Sequence, residues 1–204
     1  MASQHTELYD GSSWTTVAII GEGKYESTGT GNADAFVLGG GQPSGTSTKE
    51  YNGTTWSTGG SLPAYRRVHA FNGTQNAALS TGGTPNAVLS HTEEYNGATW
   101  SEGPDLITGT RTHGASGTQN SALVFGGNPT YSQAQEYNGS TWASANAVPI
   151  NDRGQDAAGT QNDTVQLGGQ YSPSCTILYD GTNWSSAARS LSGGSYGRGG
   201  GVGG

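Results

Sequence analysis

Glu93-Glu94-Tyr95-Asn96-Gly97-Ala98-Thr99-Trp100 contains a core, Tyr-Asx-Gly-x-x-Trp, that occurs five times in this chain. The other copies begin at Tyr9, Tyr51, Tyr137 and Tyr179. Their tryptophans, Trp14, Trp56, Trp100, Trp142 and Trp184, are 42, 44, 42 and 42 residues apart. A constant period of this length marks a repeat architecture. Asn-Gly and Asp-Gly favour two-residue hairpin turns, because both central positions of a type I′ turn need positive φ. Such a turn sets Tyr51 opposite Thr54, with Trp56 two residues on along the same face. Each copy therefore reads as a hairpin with a diagonal aromatic pair on a buried face.

Working outward, the rest of each unit also repeats. Gly73-Thr74-Gln75-Asn76 leads through Ala77-Ala78-Leu79 to Gly82-Gly83. The same order recurs from Gly117 to Gly127 and from Gly159 to Gly169. In the first unit Gly29-Thr30-Gly31-Asn32 leads to Gly39-Gly40 with one residue more, which predicts a bulge or a longer turn. Each unit reads as four short strands: the segment before the Gly-Thr-Gln-Asn turn, the apolar run, Thr-Glu-Glu-Tyr, and Thr-Trp-Ser. A four-stranded antiparallel unit at this period is a propeller blade.

The two ends are complementary. Residues 1–14 supply only the second half of a unit, and Arg198 falls six residues before Gly204, as Arg67, Arg111 and Arg153 fall six before their turn glycines. The expectation is one domain over 1–204, an all-β, five-bladed β-propeller. It has four full repeats, and 1–14 and 196–204 share the closing blade. Closure by both termini removes exposed sheet edges. Leu8 and Leu178 replace the glutamates found at Glu50, Glu94 and Glu136, and a leucine pair at the joint is expected.

Composition agrees. Of 204 residues 36 are glycine and only 31% are hydrophobic, which suits short strands and tight turns better than helices. Net charge is −7 without a block of like charge, so nucleic acid and anionic membrane are excluded as partners. Cys175 is the only cysteine, so no intrachain disulfide is possible. The first residues run straight into the first repeat, and no secretory leader or membrane insertion is expected.

A glycine pair after an apolar strand, then Glu-Tyr, then Trp, with a basic residue ahead of the first strand, resembles kelch repeats. The wording Gly-Thr-Gln-Asn-Ala-Ala-Leu, Gly-Gly and Thr-Glu-Glu-Tyr-Asn-Gly-Ala-Thr-Trp is similar to kelch-like structural proteins of marine bacteriophages. That resemblance implies a virion location, with other virion proteins or a host-surface glycan or protein as partner. An extracellular, lectin-like carbohydrate-binding propeller is the alternative.

In a kelch-type blade the first strand is innermost, so its residues are expected to line the central channel. Arg67, Arg111, Arg153 and Arg198 share one position there, with Gly23 and Lys24 in the first unit. A ring of guanidinium groups can hold a carboxylate, sulfate or phosphate. His69 and His113 also share a position, with Tyr25, Gln155 and Gly200 as counterparts. They extend the candidate ligand site, although without a fixed-spacing carboxylate or cysteine they predict no metal. No catalytic constellation stands out, so the chain reads as a non-enzymatic binding module with no cofactor.

Overall fold

The computed structural model describes residues 4–187, and within them it is all strand and turn. A two-stranded hairpin sheet, β1 (His5–Tyr9) and β2 (Trp14–Ile19), comes first. Four blades follow. Blade one holds β3 (Thr28–Gly31), β4 (Phe36–Gly39), β5 (Thr48–Tyr51) and β6 (Trp56–Thr58). Blade two holds β7 (Ala70–Thr74), β8 (Ala77–Thr81), β9 (Thr92–Tyr95) and β10 (Trp100–Glu102). Blade three holds β11 (Gly114–Thr118), β12 (Ser121–Phe125), β13 (Ala134–Tyr137) and β14 (Trp142–Ser144). Blade four holds β15 (Asp156–Thr160), β16 (Asp163–Leu167), β17 (Thr176–Tyr179) and β18 (Trp184–Ser186).

Every blade is an antiparallel meander in chain order. The first strands β3, β7, β11 and β15 pack one against the next, which puts them innermost. The chain is a five-bladed β-propeller, the hairpin sheet being the described part of the fifth blade. Arg198 and the proposed closing segment 196–204 lie outside the described residues.

The aromatic hairpins differ from expectation in register. Tyr95 sits directly opposite Trp100, with four residues between them. Asn96 Oδ1 accepts hydrogen bonds from the Ala98 and Thr99 amides, at 3.0 and 2.9 Å. Only Gly97 has positive φ. The asparagine side chain therefore makes an Asx turn, which lengthens the loop by two residues and excludes type I′. The two rings pack face to face but tilted by 31°, at 4.8 Å between centroids.

The first turn of blade one is also shifted. Gly31 pairs with Phe36 as Gly73 pairs with Ala78, so the turn is Ala33-Asp34 and the glycine pair is Gly40-Gly41. Both glycines of the pair have positive φ, as do Gly82 and Gly83. Neither the expected bulge nor a longer turn is present, because the apparent extra residue came from the two-residue misalignment.

The seams between blades form the core. Each seam has an aliphatic and aromatic cluster, such as Val37, Leu62, Phe71, Ala78, Tyr95 and Trp100 between blades one and two. Polar latches cross it. Gln75 Nε2 donates to the Phe36 and Tyr51 carbonyls of blade one, and Gln119 and Gln161 do the same one blade further on each time. Tyr95 donates to Glu50, Tyr137 to Glu94 and Tyr179 to Glu136. Burial and the Glu50 carboxylate push the Tyr95 phenol up to about 12. The residue at the Glu50 position thus faces the tyrosine of the following sheet. Leu8 accordingly lines a cleft of about 310 Å³ with Tyr51 and Trp56. It does not pair with Leu178, whose position faces onward from blade four.

Candidate functional site at the mouth of the inner strands

Just before each inner strand one residue takes the left-handed conformation: Glu26 (φ 57°), Val68 (49°), Thr112 (52°) and Gly154 (68°). A β-branched residue there stores on the order of 1–3 kcal/mol of strain. The compensation is a chain of backbone hydrogen bonds running from blade to blade around the mouth. Gly154 N donates to Thr112 O at 2.6 Å, Thr112 N to Val68 O at 2.8 Å, and Val68 N to Glu26 O at 3.1 Å.

The residue immediately before each of these is Tyr25, Arg67, Arg111 or Arg153. Backbone pairing to Gln42, Thr84, Asn128 and Gln170 establishes the equivalence. Tyr25, rather than Gly23 or Lys24, is the blade-one counterpart, by the same two-residue shift. The three described arginines are only partly buried. Arg67 Nη1 is in an ion pair with Glu26 Oε2 at 2.8 Å. Arg111 and Arg153 instead use Nε on neutral amides: Asn128 Oδ1 at 3.3 Å and Gln170 Oε1 at 2.7 Å. Neither joins an ion pair among the described residues.

Aromatic side chains connect these two arginines. Asn128 Nδ2 donates to the Tyr131 hydroxyl at 2.8 Å, Tyr131 meets Tyr171 edge-on at 6.0 Å, and the Arg153 guanidinium lies over the Tyr171 ring at 5.6 Å. Tyr171 is 55% exposed. The result is a surface with a guanidinium at each end and an aromatic pair between. Sequence reasoning missed Tyr131 and Tyr171, since they sit in loops of unequal wording. The signal available was a tyrosine within four residues of each of these glycine pairs.

His69 and His113 are not part of that surface. Both are buried in seams, 7% and 6% exposed, with Ser27 and Gln155 as structural counterparts. A Cβ on Gly40 would lie 2.3 Å from the His69 ring, so the preceding blade's glycine makes room for the imidazole. His113 shares a hydrogen bond of 3.0 Å with Thr81, and His69 packs edge-on against Phe71 at 5.1 Å. Neither ring nitrogen of His69 has a protein partner among the described residues. Burial holds the His69 imidazole well below its ordinary range, helped by the Arg66 charge, and burial brings His113 down to about 3. The inner strand begins only at Ala70, so residue 69 points across the seam and not into the channel.

One further position, of which sequence reasoning named only Lys24, comprises Lys24, Arg66, Thr110 and Asp152, each next to the mouth residue. Lys24 Nζ donates to Gly40 O at 2.9 Å, Arg66 Nη1 to Gly82 O at 3.0 Å, and Thr110 Oγ1 to Gly126 O at 3.1 Å. All three satisfy the carbonyl of the first glycine of the pair. Arg66 also pairs with Glu93 at 2.7 Å, with both side chains at most 2% exposed. Burial pushes the Glu93 carboxyl above its ordinary value against the pull of Arg66. Asp152 reverses the polarity, accepting from the Tyr171 and Ser172 amides at 2.9 and 2.8 Å. It thereby fixes the loop that carries Tyr171.

No family model matches this chain. No curated protein sequence matches it either. Its fold is nevertheless shared. A solved structure titled "Structure of YjhT" superposes with a TM-score of 0.69, covering 84% of this chain and 67% of that one. At 15% identity the likeness concerns fold alone.

Proposed function

We propose that this propeller is a non-enzymatic recognition module that grips an anionic protein or glycan at the mouth of its inner strands. The observation that carries the reading is the pairing of Arg111 and Arg153, neither neutralised by a described carboxylate, around Tyr131 and Tyr171. Guanidinium forks bind carboxylate, sulfate or phosphate bidentately, and an aromatic face takes the apolar side of a sugar or a side chain. By contrast the histidines and the Arg66–Glu93 pair are consumed in the seams. Arg67, already neutralised by Glu26, contributes framework. The repeat wording supports placing the module in a virion, as a structural or host-recognition part contacting other virion proteins or the host surface. The extracellular lectin is the second reading, favoured by the exposed Tyr171 ring.

A glycan array carrying neutral, carboxylated and sulfated sugars, run beside a panel of acidic proteins, tests the reading. Retention confined to anionic probes and weakening with added salt is expected. Equal retention of neutral probes, or no retention at all, would contradict it.

A further inference from the structure

Asn52, Asn72, Asn96 and Asn138 each precede a glycine. Asn72 lies inside β7, opposite Leu79, and is 3% exposed. The others sit at the β5–β6, β9–β10 and β13–β14 hairpin tips, where all are exposed. Blades two and three, which carry Asn96 and Asn138, are flanked by described sheets on both sides.

An asparagine amide is lost when the amide nitrogen of the next residue attacks its Cγ, and the tips favour that step. No hydrogen bond holds the Gly53, Gly97 or Gly139 amide nitrogen among the described residues. Glycine, having no Cβ, leaves the approach open. Oδ1, which takes the negative charge as Cγ becomes tetrahedral, already accepts from two backbone N–H groups. Thr54 and Thr55 donate to Asn52 at 3.0 and 2.8 Å. Ala98 and Thr99 donate to Asn96, and Ser140 and Thr141 to Asn138, at 3.0 and 2.9 Å in each case. Two donors at such distances are the arrangement that stabilises an oxyanion in acyl transfer.

The product has a precedent within the chain. Asp10 and Asp180 occupy the same turn position. Asp10 Oδ1 accepts from the Ser12 and Ser13 amides at 2.8 Å each, and Asp180 Oδ1 from Thr182 and Asn183 at 2.9 and 2.7 Å. Those amides hold both carboxyls below the ordinary aspartate range, so the acid is ionised in this turn.

We propose that Asn52, Asn96 and Asn138 are deamidation sites, at which the turn promotes conversion of the amide to an aspartate that the same turn accepts. The glycine nitrogen bonds to Cγ and the Cγ–Nδ2 bond breaks. The glycine N–H proton passes through water to the departing nitrogen, which leaves as ammonia. Water then opens the cyclic imide. Opening at Cγ gives aspartate, and opening at the main-chain carbonyl gives isoaspartate, which carries the chain through the side-chain carbon. Strand order puts the tips at the blade ends opposite the mouth. Each conversion therefore adds a negative charge there, to a chain of net charge −7, and leaves Arg111 and Arg153 untouched.

Incubation of the full folded chain at mildly alkaline pH, followed by peptide mass spectrometry and ammonia release, tests this. The tip peptides should gain the mass that separates acid from amide, at least as fast as a free peptide spanning 94–101. Asn72 should convert at least about a hundredfold more slowly, because it reacts only when β7 opens. Asn96→Asp should melt like the parent, since Asp10 and Asp180 hold the same turn, and should remove the mass gain from its own peptide. Tips that react more than about tenfold slower than the free peptide overturn the proposal, because the turn then protects the amide. Conversion of Asn72 as fast as the tips overturns it too, as does a clearly lower melting temperature for Asn96→Asp.

Discussion

Replacing Glu93 with Ala is expected to lower stability by about 3–5 kcal/mol, more than any surface change in this chain. The variant leaves the Arg66 guanidinium, wholly buried, without its counter-charge while its contacts to the Gly82 and His91 carbonyls persist. Removing both charges should be far milder. Blade three runs the same position with Thr110 and Gln135, both buried and neutral. Arg66→Met with Glu93→Gln should therefore recover most of the loss, because a buried pair replaced as a unit leaves no orphaned ion. Urea unfolding of the single and double variants decides the matter. A single variant within about 1 kcal/mol of the parent would mean that water reaches the pair.

The second large effect is with pH. His69 and His113 have folded pKa values below that of a free histidine, so below pH 6.5 the unfolded chain binds more protons than the folded one. Stability is therefore complete above pH 6.5 and is lost as pH falls, by on the order of 1.4 kcal/mol per pH unit for His113, with His69 acting in the same direction. Between pH 6.5 and 4.5 His113 alone accounts for roughly 2 kcal/mol, and His69 adds to it in the same direction. His113 stops contributing near pH 3. The variant His69→Gln/His113→Gln uses the residue that blade four already carries at Gln155. Its stability should fall less than the parent's across that window by roughly 2 kcal/mol or more, carboxylate titration being common to both. Parallel pH curves for the two proteins would show that the seams open readily to water.

The blade count, strand order and period were legible because the Tyr-Asx-Gly-x-x-Trp hairpin and the glycine pair repeat at fixed spacing. The register was less so. In blade one the wording favours Gly29, which opens Gly-Thr-Gly-Asn, and only pairing to Phe36 selects Gly31. The Asx turn was hidden because Asn-Gly serves two turn types, distinguished by where the side-chain oxygen of Asn96 finds its donors. Arg111 and Arg153 were legible as candidates, but their aromatic partners Tyr131 and Tyr171 were not. His69 and His113 looked equivalent to the arginines. A strand that starts at Ala70, three residues past Arg67, turns them into the seam instead.

Arg67, Arg111 and Arg153 share a sequence position but not a role, and a sulfate titration followed by thermal shift separates them. Arg67→Gln should lower the melting temperature without ligand, since its Glu26 partner is lost, and leave the sulfate-dependent rise in place. Arg111→Gln/Arg153→Gln should melt like the parent without ligand and show no rise with sulfate. A double variant that melts lower without ligand yet keeps the full sulfate-dependent rise would make these arginines framework and remove the recognition surface.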